Sequence, residues 1–180
     1  LRSWRATLFE QAQAFKGLSS ITWGSADGRS VGITHHLGRD GYEFTIKDEK
    51  TGSHLYEYYC DRYGRMNKYP TKVYSYDPRN RPWYKAAVQA DKSTWTDPYA
   101  RMHKARAATS LALGYAQPFR DSSGRLIGVM NAELTLNDIT HFLENLSVGR
   151  TGKAFLLDLQ GRLIATSSGV LLTDTRNYPV

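Results

Sequence analysis

The stretch 76-YDPRNRPWY-84 concentrates groups that bind small charged molecules: two arginines, three aromatic residues and two prolines lie within nine positions. A residue before proline is biased away from the α region, and Pro82 suits the first position of a helix. Arg81, Trp83 and Tyr84 are therefore predicted where a rigid loop enters a helix. The free N–H groups of a helix N-terminus and the planar guanidinium fork favour an anion, above all a carboxylate.

The same residues also fit a purely structural loop. In that alternative the Trp83 indole fills the core and Arg81 pairs with a nearby acid such as Asp77. Local chemistry favours neither interpretation, so both stay open at this point.

Two further stretches add polar groups that could face the same space. "WTDPYA" (95–100) is a second aromatic turn and contains Tyr99. "VMNAELT" (129–135) alternates as a strand does, which places Asn131 and Glu133 on one face. A buried glutamate is rare without a cationic partner. That partner is expected to be Arg81, a lysine or the ammonium group of a ligand.

These residues need a scaffold of strands and helices. An amphipathic helix is predicted over 1–16, ending at Gly17, with Phe15 on its apolar stripe. Hairpins are predicted in 19–36 around "SADG", in 42–59 around 48–52, and in 153–167 around "LQGR". A short helix should follow Pro82. A further helix should open at Thr135 and end at Gly149, and its apolar face should be formed by Ile139, Phe142, Leu143 and Leu146. The expected fold class is α+β, with antiparallel strands and helices on one side.

The sequence resembles the extracytoplasmic double Cache (dCache) sensors of bacterial transmembrane signalling proteins. The motifs that carry the resemblance are "YDPRNRPWYKAA", "WTDPYA", "YAQPFRDSSGRLIGVMNAELTL" and "GKAFLLDLQGRLIATS". The resemblance implies a long N-terminal helix at 1–17 for signalling and dimerisation. It implies a membrane-distal, PAS-like ligand-binding module at 18–146, and the incomplete start of a smaller membrane-proximal PAS-like module at 147–180.

One subgroup of that family binds amino acids, and its motif can be followed here at Tyr76, Arg81, Trp83, Tyr84 and Tyr99. The resemblance implies that the Arg and Trp side holds the carboxylate of the ligand, while the tyrosines and a final acidic residue hold its ammonium. The subgroup has aspartate at that last position, where this chain has Glu133. Glutamate keeps the charge and extends its reach by about 1.5 Å, one carbon–carbon bond.

Composition excludes several other classes of protein. Hydrophobic residues make up 41% and charged residues 23% of the 180, which is ordinary for a globular protein and argues against disorder. The net charge is +7, but no basic run reaches five residues, and neither an RNP-like aromatic motif nor a zinc-finger spacing occurs. We therefore expect no nucleic-acid partner, although the charge suits a location near a membrane.

Enzymatic and metal sites are weakly indicated. The adjacent His35 and His36 point to opposite faces of a strand, so they are a poor metal pair. "GRSVG" (28–32) matches G-x-S-x-G at Ser30 but lies in a hairpin rather than between a strand and a helix. The single cysteine, Cys60, is interpreted as a half-buried strand residue. No catalytic residue, metal or cofactor is expected.

Together these arguments predict the extracytoplasmic, ligand-binding part of a larger inner-membrane protein: a histidine kinase, diguanylate cyclase or chemoreceptor that forms a homodimer. The ligand is expected to be an amino acid or a related amine or carboxylate, and the predicted site is Tyr76, Arg81, Trp83, Tyr84, Tyr99, Asn131 and Glu133. The alternative is a Cache-like module that binds no small molecule and acts through protein contacts. Glu133 separates the two, because an internal pair with Arg81 would leave the pocket satisfied and empty.

Overall fold

The computed structural model describes residues 2–35, 40–101, 111–149, 151–158 and 160–168. The chain divides into two compact units, which are described separately. The first comprises 1–96 and 114–133, and the second comprises 97–113 and 134–180. Among the described residues, no helix has the length and apolar character needed to cross a membrane.

The first unit is built on an antiparallel sheet whose strands follow the order β5-β4-β3-β2-β1-β9-β8-β6. The strands are β1 (Ser20–Ser25), β2 (Ser30–His35), β3 (Tyr42–Lys47), β4 (His54–Cys60), β5 (Lys72–Ser75), β6 (Thr94–Trp95), β8 (Leu111–Arg120) and β9 (Leu126–Thr135). The central strand β1 pairs with β2 on one side and with β9 on the other. Because side chains alternate, each strand contributes to both faces of the sheet.

The helix α1 (Arg2–Ala14) packs on one face, here called the apolar face. Leu8 is fully buried there and Ala12 is 6% exposed. The strand residues that complete this core are Ile21, Val31, Ile33, Tyr42, Phe44 and Cys60. The predicted helix is confirmed, but its end is corrected: Phe15 follows the last helical residue and is 60% exposed, so it is not part of the packed stripe.

Three turns share one construction, D-x-x-G-R, at 61–65, 121–125 and 158–162. In each, the aspartate Oδ1 accepts hydrogen bonds from the N–H groups two and four residues later, and Oδ2 accepts from the arginine Nε. The glycine has a positive φ of 78° to 82°, a conformation that suits only glycine well. The turn at 121–125 connects β8 and β9, so its hydrogen bonds fix the length of that connection.

The opposite face of the sheet, here called the polar face, meets the segment that follows β5. A short 3₁₀ helix (Pro78–Asn80) leads into α2 (Pro82–Ala90). Asp77 caps the 3₁₀ helix by accepting from the Arg79 N–H, and Pro82 is the first residue of α2. The predicted loop that runs into a helix at Pro82 is confirmed.

The second unit contains β7 (Tyr99–Ala100), which pairs with Leu111 and Ala112, together with α3 (Leu136–Glu144) and the hairpin β10 (Phe155–Leu157) and β11 (Leu163–Thr166). Thr135 caps α3 by accepting from Asp138 N, as predicted. The core of this unit consists of Ala100, Leu111, Leu136 and Ile164.

The predicted α+β class is confirmed, and the hairpins lie where the turns indicated. Besides the end of α1, a second boundary and one helix face were predicted wrongly. α3 ends at Glu144 rather than Gly149, because Asn145 already caps its C-terminus. Phe142 is 63% and Leu146 42% exposed, so the buried side of α3 is formed by Leu136 and Leu143. The division into modules at 17 and 146 stays a prediction.

Candidate ligand-binding site

The polar face carries small and polar side chains that the strand register brings into rows. Ser20 lies opposite Glu133, and Thr22 lies opposite Asn131, across the β1–β9 pair. Asn131 is 1% and Glu133 6% exposed. The residues that alternate with them on β9, Met130, Ala132 and Leu134, are only half-buried. The predicted alternation along β9 is therefore confirmed, and both polar side chains are on its buried side.

The loop above this face places Arg81 between two structured segments. Arg81 ends the 3₁₀ helix and is the N-cap residue of α2, with the extended backbone (φ −77°, ψ 146°) expected before a proline. Its side chain is 7% exposed. The neighbouring Arg79 is 47% exposed and forms an ion pair with Asp77 at 2.7 Å. The two arginines of the motif thus have different environments, and Asp77 forms its ion pair with Arg79.

Trp83 is positioned by the absence of a side chain at Gly24 on β1. A methyl group at Gly24 would lie 2.7 Å from Pro78 Cβ and 2.8 Å from the Trp83 ring, closer than real side chains approach. The loop and the indole therefore lie directly against the strand backbone. This close approach holds Trp83, which is 3% exposed, beside the polar face.

The Tyr76 phenol is affected by the charges of two other residues of the predicted site, Arg81 and Glu133. Burial raises the pKa of the Tyr76 phenol above its ordinary value. The positive charge of Arg81 opposes that rise, whereas the neighbouring Tyr74 and the negative charge of Glu133 add to it. The phenol is therefore within electrostatic reach of both Arg81 and Glu133, and the membership of all three in one ligand site stays a prediction.

Glu133 is held by the strand beside it. Ser20 Oγ donates to Glu133 Oε1 at 3.2 Å, and Ser19 N donates to the Glu133 carbonyl at 2.8 Å. A hydroxyl donor supports a carboxylate without neutralising its charge. The carboxylate thus has a fixed position on the polar face.

Tyr84 supplies a buried hydroxyl group that the described part of the chain does not satisfy. Tyr84 is 5% exposed, and its Oη has no hydrogen-bond partner there. Burial raises the pKa of this phenol, which also senses the charges of Arg79 and Asp77. A buried hydroxyl without a partner costs free energy, about 1–3 kcal/mol, unless a water or ligand supplies the bond. Asn131 Oδ1 is a second such atom, although Asn131 has other interactions.

Tyr99 is the one predicted site residue outside the first unit. It lies on β7 in the second unit and is 1% exposed. Its membership of the site stays a prediction.

A buried ion pair on the polar face was missed by the sequence argument. Glu57 on β4 is 2% exposed, and Lys72 Nζ on β5 lies 2.7 Å from its Oε1. The sequence contains a signal for it, since "HLYEYYC" alternates and puts Glu57 on the face opposite Cys60. The partner could not be foreseen, because β5 was not predicted.

The residues considered for catalysis have structural surroundings. Ser30 opens β2 and donates to the Trp23 carbonyl at 2.9 Å. Cys60 is buried, and burial raises the pKa of its thiol. His36 and His103 fall outside the described residues. Within the described ranges, no group of three or more His, Cys, Asp or Glu side chains is arranged to hold a metal ion.

The amino-acid sequence matches a known family of proteins. Residues 39–141, more than half of the chain, match the family described as methyl-accepting chemotaxis protein-like, first PDC sensor domain. The chain belongs to this family. The match confirms the resemblance to Cache-type sensors, and the sensor-domain family is that of chemotaxis receptors.

Two receptors and one solved domain illustrate the similarity. Methyl-accepting chemotaxis protein McpA of Pseudomonas putida is 32% identical over 142 residues, which are 74% of this chain and 21% of McpA. PctB of Pseudomonas aeruginosa is 37% identical over 89 residues, 49% of this chain and 13% of PctB. The solved ligand-binding domain of PctB, in complex with L-Gln, shares the fold with a TM-score of 0.54 and 24% identity, over 91% of this chain and 51% of that domain. This sensor domain thus spans about a fifth or less of the curated receptors it matches.

Proposed function

We propose that this chain is the extracytoplasmic sensor domain of an inner-membrane signalling protein and that it binds an amino acid on the polar face. The observation that carries the proposal is the pair of buried, oppositely charged side chains, Arg81 and Glu133, that both act on the Tyr76 phenol. A free amino acid carries both charges on one carbon atom, so it complements such a pair. The domain itself would have no catalytic role.

The orientation of the ligand follows from the charges. The carboxylate would lie against the Arg81 guanidinium and the Trp83 indole N–H at the start of α2. The ammonium would lie between Glu133, Asn131 and the phenols of Tyr76 and Tyr84. Tyr84 Oη would then gain the hydrogen bond that it lacks among the described residues.

The route from ligand to signal would run through the sheet. The strands that carry the ligand residues also carry the apolar face on which α1 packs. A ligand can favour one arrangement of sheet and helix only by the difference between its affinities for the two arrangements. In the whole receptor, α1 would transmit that change toward the membrane, most simply within a homodimer.

Thermal unfolding of the chain against a panel of L-amino acids, amines and small organic acids tests the proposal. A ligand at a hundred times its dissociation constant adds about 2.7 kcal/mol of stability, which raises the melting temperature by several degrees. We expect that rise with at least one amino acid, and we expect Arg81→Ala to abolish it. Arg79→Ala is the matched control, because it removes the neighbouring exposed arginine and should retain the rise.

The alternative, a contact-driven module without a small ligand, has one observation in its favour: Trp4, near the start of α1, and Phe15, just beyond its end, are 42% and 60% exposed. Exposed aromatic residues suit a protein partner. No shift with any compound of the panel, combined with concentration-dependent dimerisation in sedimentation experiments, would favour this alternative over the amino-acid sensor.

A further inference from the structure

The apolar face of the sheet carries a groove beside α1. The helix packs mainly on β1 and β2, whereas the groove lies over β3 and β4. Phe44 of β3 is opposite Tyr58 of β4, and Ile46 is opposite Tyr56, so these four side chains share the apolar face. The groove has a volume of about 310 Å³, within the range of small-molecule sites. Since it lies on the other side of the sheet, it is separate from the predicted amino-acid site.

The floor of the groove is apolar and rich in aromatic rings. Phe44 is buried, whereas Ile46, Tyr56, Tyr58 and Met66 are half-buried and keep part of their side chains open to the groove. Aromatic rings favour offset or edge-on contacts with another ring, and the thioether of methionine adapts to its shape. The phenol hydroxyls of Tyr56 and Tyr58 have no hydrogen-bond partner among the described residues. The floor therefore suits a flat apolar ligand that also accepts hydrogen bonds.

Two cationic side chains border this floor without an internal counter-ion. Arg5 comes from α1 and is half-buried, and Lys50 comes from the turn that connects β3 to β4 and is exposed. Within the described ranges of the chain, neither forms an ion pair. Asp48 also borders the groove, but its Oδ1 accepts hydrogen bonds from the N–H groups of Lys50 and Thr51 and stabilises the turn. The groove thus presents more positive than negative charge, and the planar guanidinium matches a carboxylate.

We propose that this groove is a second binding site and that its ligand is an aromatic monocarboxylate. The ring lies over Tyr56 and Tyr58, and the carboxylate lies against the Arg5 guanidinium, with the Lys50 ammonium as a second cation. The site does not depend on the amino-acid site of the polar face. Because Arg5 belongs to α1 and the floor belongs to β3 and β4, a bound acid connects the helix to strands on which it does not mainly pack.

Calorimetric titration of the chain with benzoate, benzamide and acetate tests the groove, because benzamide lacks the charge and acetate lacks the ring. We expect benzoate to bind at least about tenfold more tightly than either, as for a hydrogen bond to a charged group and for burial of a ring. Arg5→Gln should weaken benzoate about tenfold, and Lys50→Met should weaken it several-fold. Arg62→Gln is the matched control, since Arg62 is exposed, lies over the Tyr63 ring and does not border the groove.

Arg81→Ala separates the groove from the polar face. Benzoate affinity should stay within about twofold in this variant, as expected for an independent site. Four results would overturn the proposal: no binding of benzoate, equal binding of benzoate and benzamide, equal losses in Arg5→Gln and Arg62→Gln, or loss of benzoate binding in Arg81→Ala. Failure of every amino acid to bind would overturn the proposed function and leave the groove standing if benzoate still binds as expected.

Discussion

The two faces of the central sheet are made from the same strands and differ in what fills them. On the apolar face, Leu8 and Ala12 of α1 pack against aliphatic and aromatic strand residues, so the apolar surface of these strand residues is buried by the chain's own helix. On the polar face, Arg81, Glu133 and Glu57 are each less than a tenth exposed. Burial of charge is costly, and a close-packed apolar pair is often as stable or more stable in the same place.

This difference suggests that the apolar face stabilises the fold and that the polar face recognises the amino acid. The core under α1 needs no molecule from outside, and its residues explain why the fold forms. The polar face leaves Tyr84 Oη without a partner among the described residues and presents groups of both charges. Substitutions in the core under α1 should therefore act on the free energy of unfolding, and substitutions on the polar face should act on amino-acid affinity.

The largest expected effect is on the apolar face. Leu8→Ala removes a fully buried side chain between α1 and the sheet and should lower the free energy of unfolding by about 2–5 kcal/mol. Phe15→Ala, at a residue that is 60% exposed, is the control and should cost less than about 0.5 kcal/mol. Urea unfolding measures both, and the affinity of the folded protein for its amino acid should stay within about twofold. Equal stability losses for the two variants would mean that α1 is not packed as described.

Glu133→Gln should show the reverse pattern. The amide oxygen can still accept from Ser20 Oγ, so stability should change little. Loss of the carboxylate charge should weaken amino-acid binding by about 1.5–3 kcal/mol, roughly ten- to a hundredfold, in calorimetric titration. Glu133→Asp keeps the charge and shortens the reach by about 1.5 Å, so it tells whether charge or length decides. A Glu133→Gln chain that binds as the wild type does would remove Glu133 from the site.

Gly24→Ala should affect both properties at once. The added methyl group meets Pro78 and Trp83, and the resulting overpacking should cost about 1–3 kcal/mol of stability. Displacement of the Trp83 ring should also weaken binding of the ligand carboxylate. Gly17→Ala, where nothing lies within 4 Å of the added atom, is the matched control for thermal unfolding. Unaltered ligand affinity in Gly24→Ala would show that the indole position does not matter.

The smallest effect concerns the turn between β8 and β9, and it depends on pH. The Ser123 hydroxyl and then the N–H groups of Arg125 and Ser123 lower the pKa of Asp121. A carboxyl with a pKa that is lowered by folding contributes stability above its unfolded pKa of about 3.9, and that contribution disappears as the pH falls through the folded pKa. The stability difference between wild type and Asp121→Asn should therefore shrink between pH 6 and pH 3. A difference that grows on acidification would contradict this assignment.

Sequence periodicity predicted much of the sheet because its signals are local. The alternation over 129–135 placed Asn131 and Glu133 on one side of β9, and the proline at 82 placed the start of α2. Local rules failed where burial depends on distant elements. Phe15 and Phe142 fit a helical stripe in sequence, yet among the described residues they are 60% and 63% exposed.

The sequence predicted which residues form the candidate site, but it did not predict which charged side chains form ion pairs with each other. The motif brought Tyr76, Arg81 and Glu133 into one hypothesis, and the structure places all three in the first unit. The assignment of Asp77 to Arg79 and the ion pair of Glu57 with Lys72 depend on register and on a short strand, β5, without a clear pattern of its own. Such pairings arise from tertiary geometry, which sequence spacing does not encode.

The Asp121–Arg125 turn has a consequence for insertions and deletions. Surface turns usually tolerate a change of length, yet this one sets how β9 enters the sheet. Side chains along a strand repeat every two residues, so a shift of β9 by one residue would exchange Asn131 and Glu133 for Met130 and Ala132 on the polar face. A change in the length of this turn would therefore keep Asn131 and Glu133 on the polar face only together with a compensating shift in the strand.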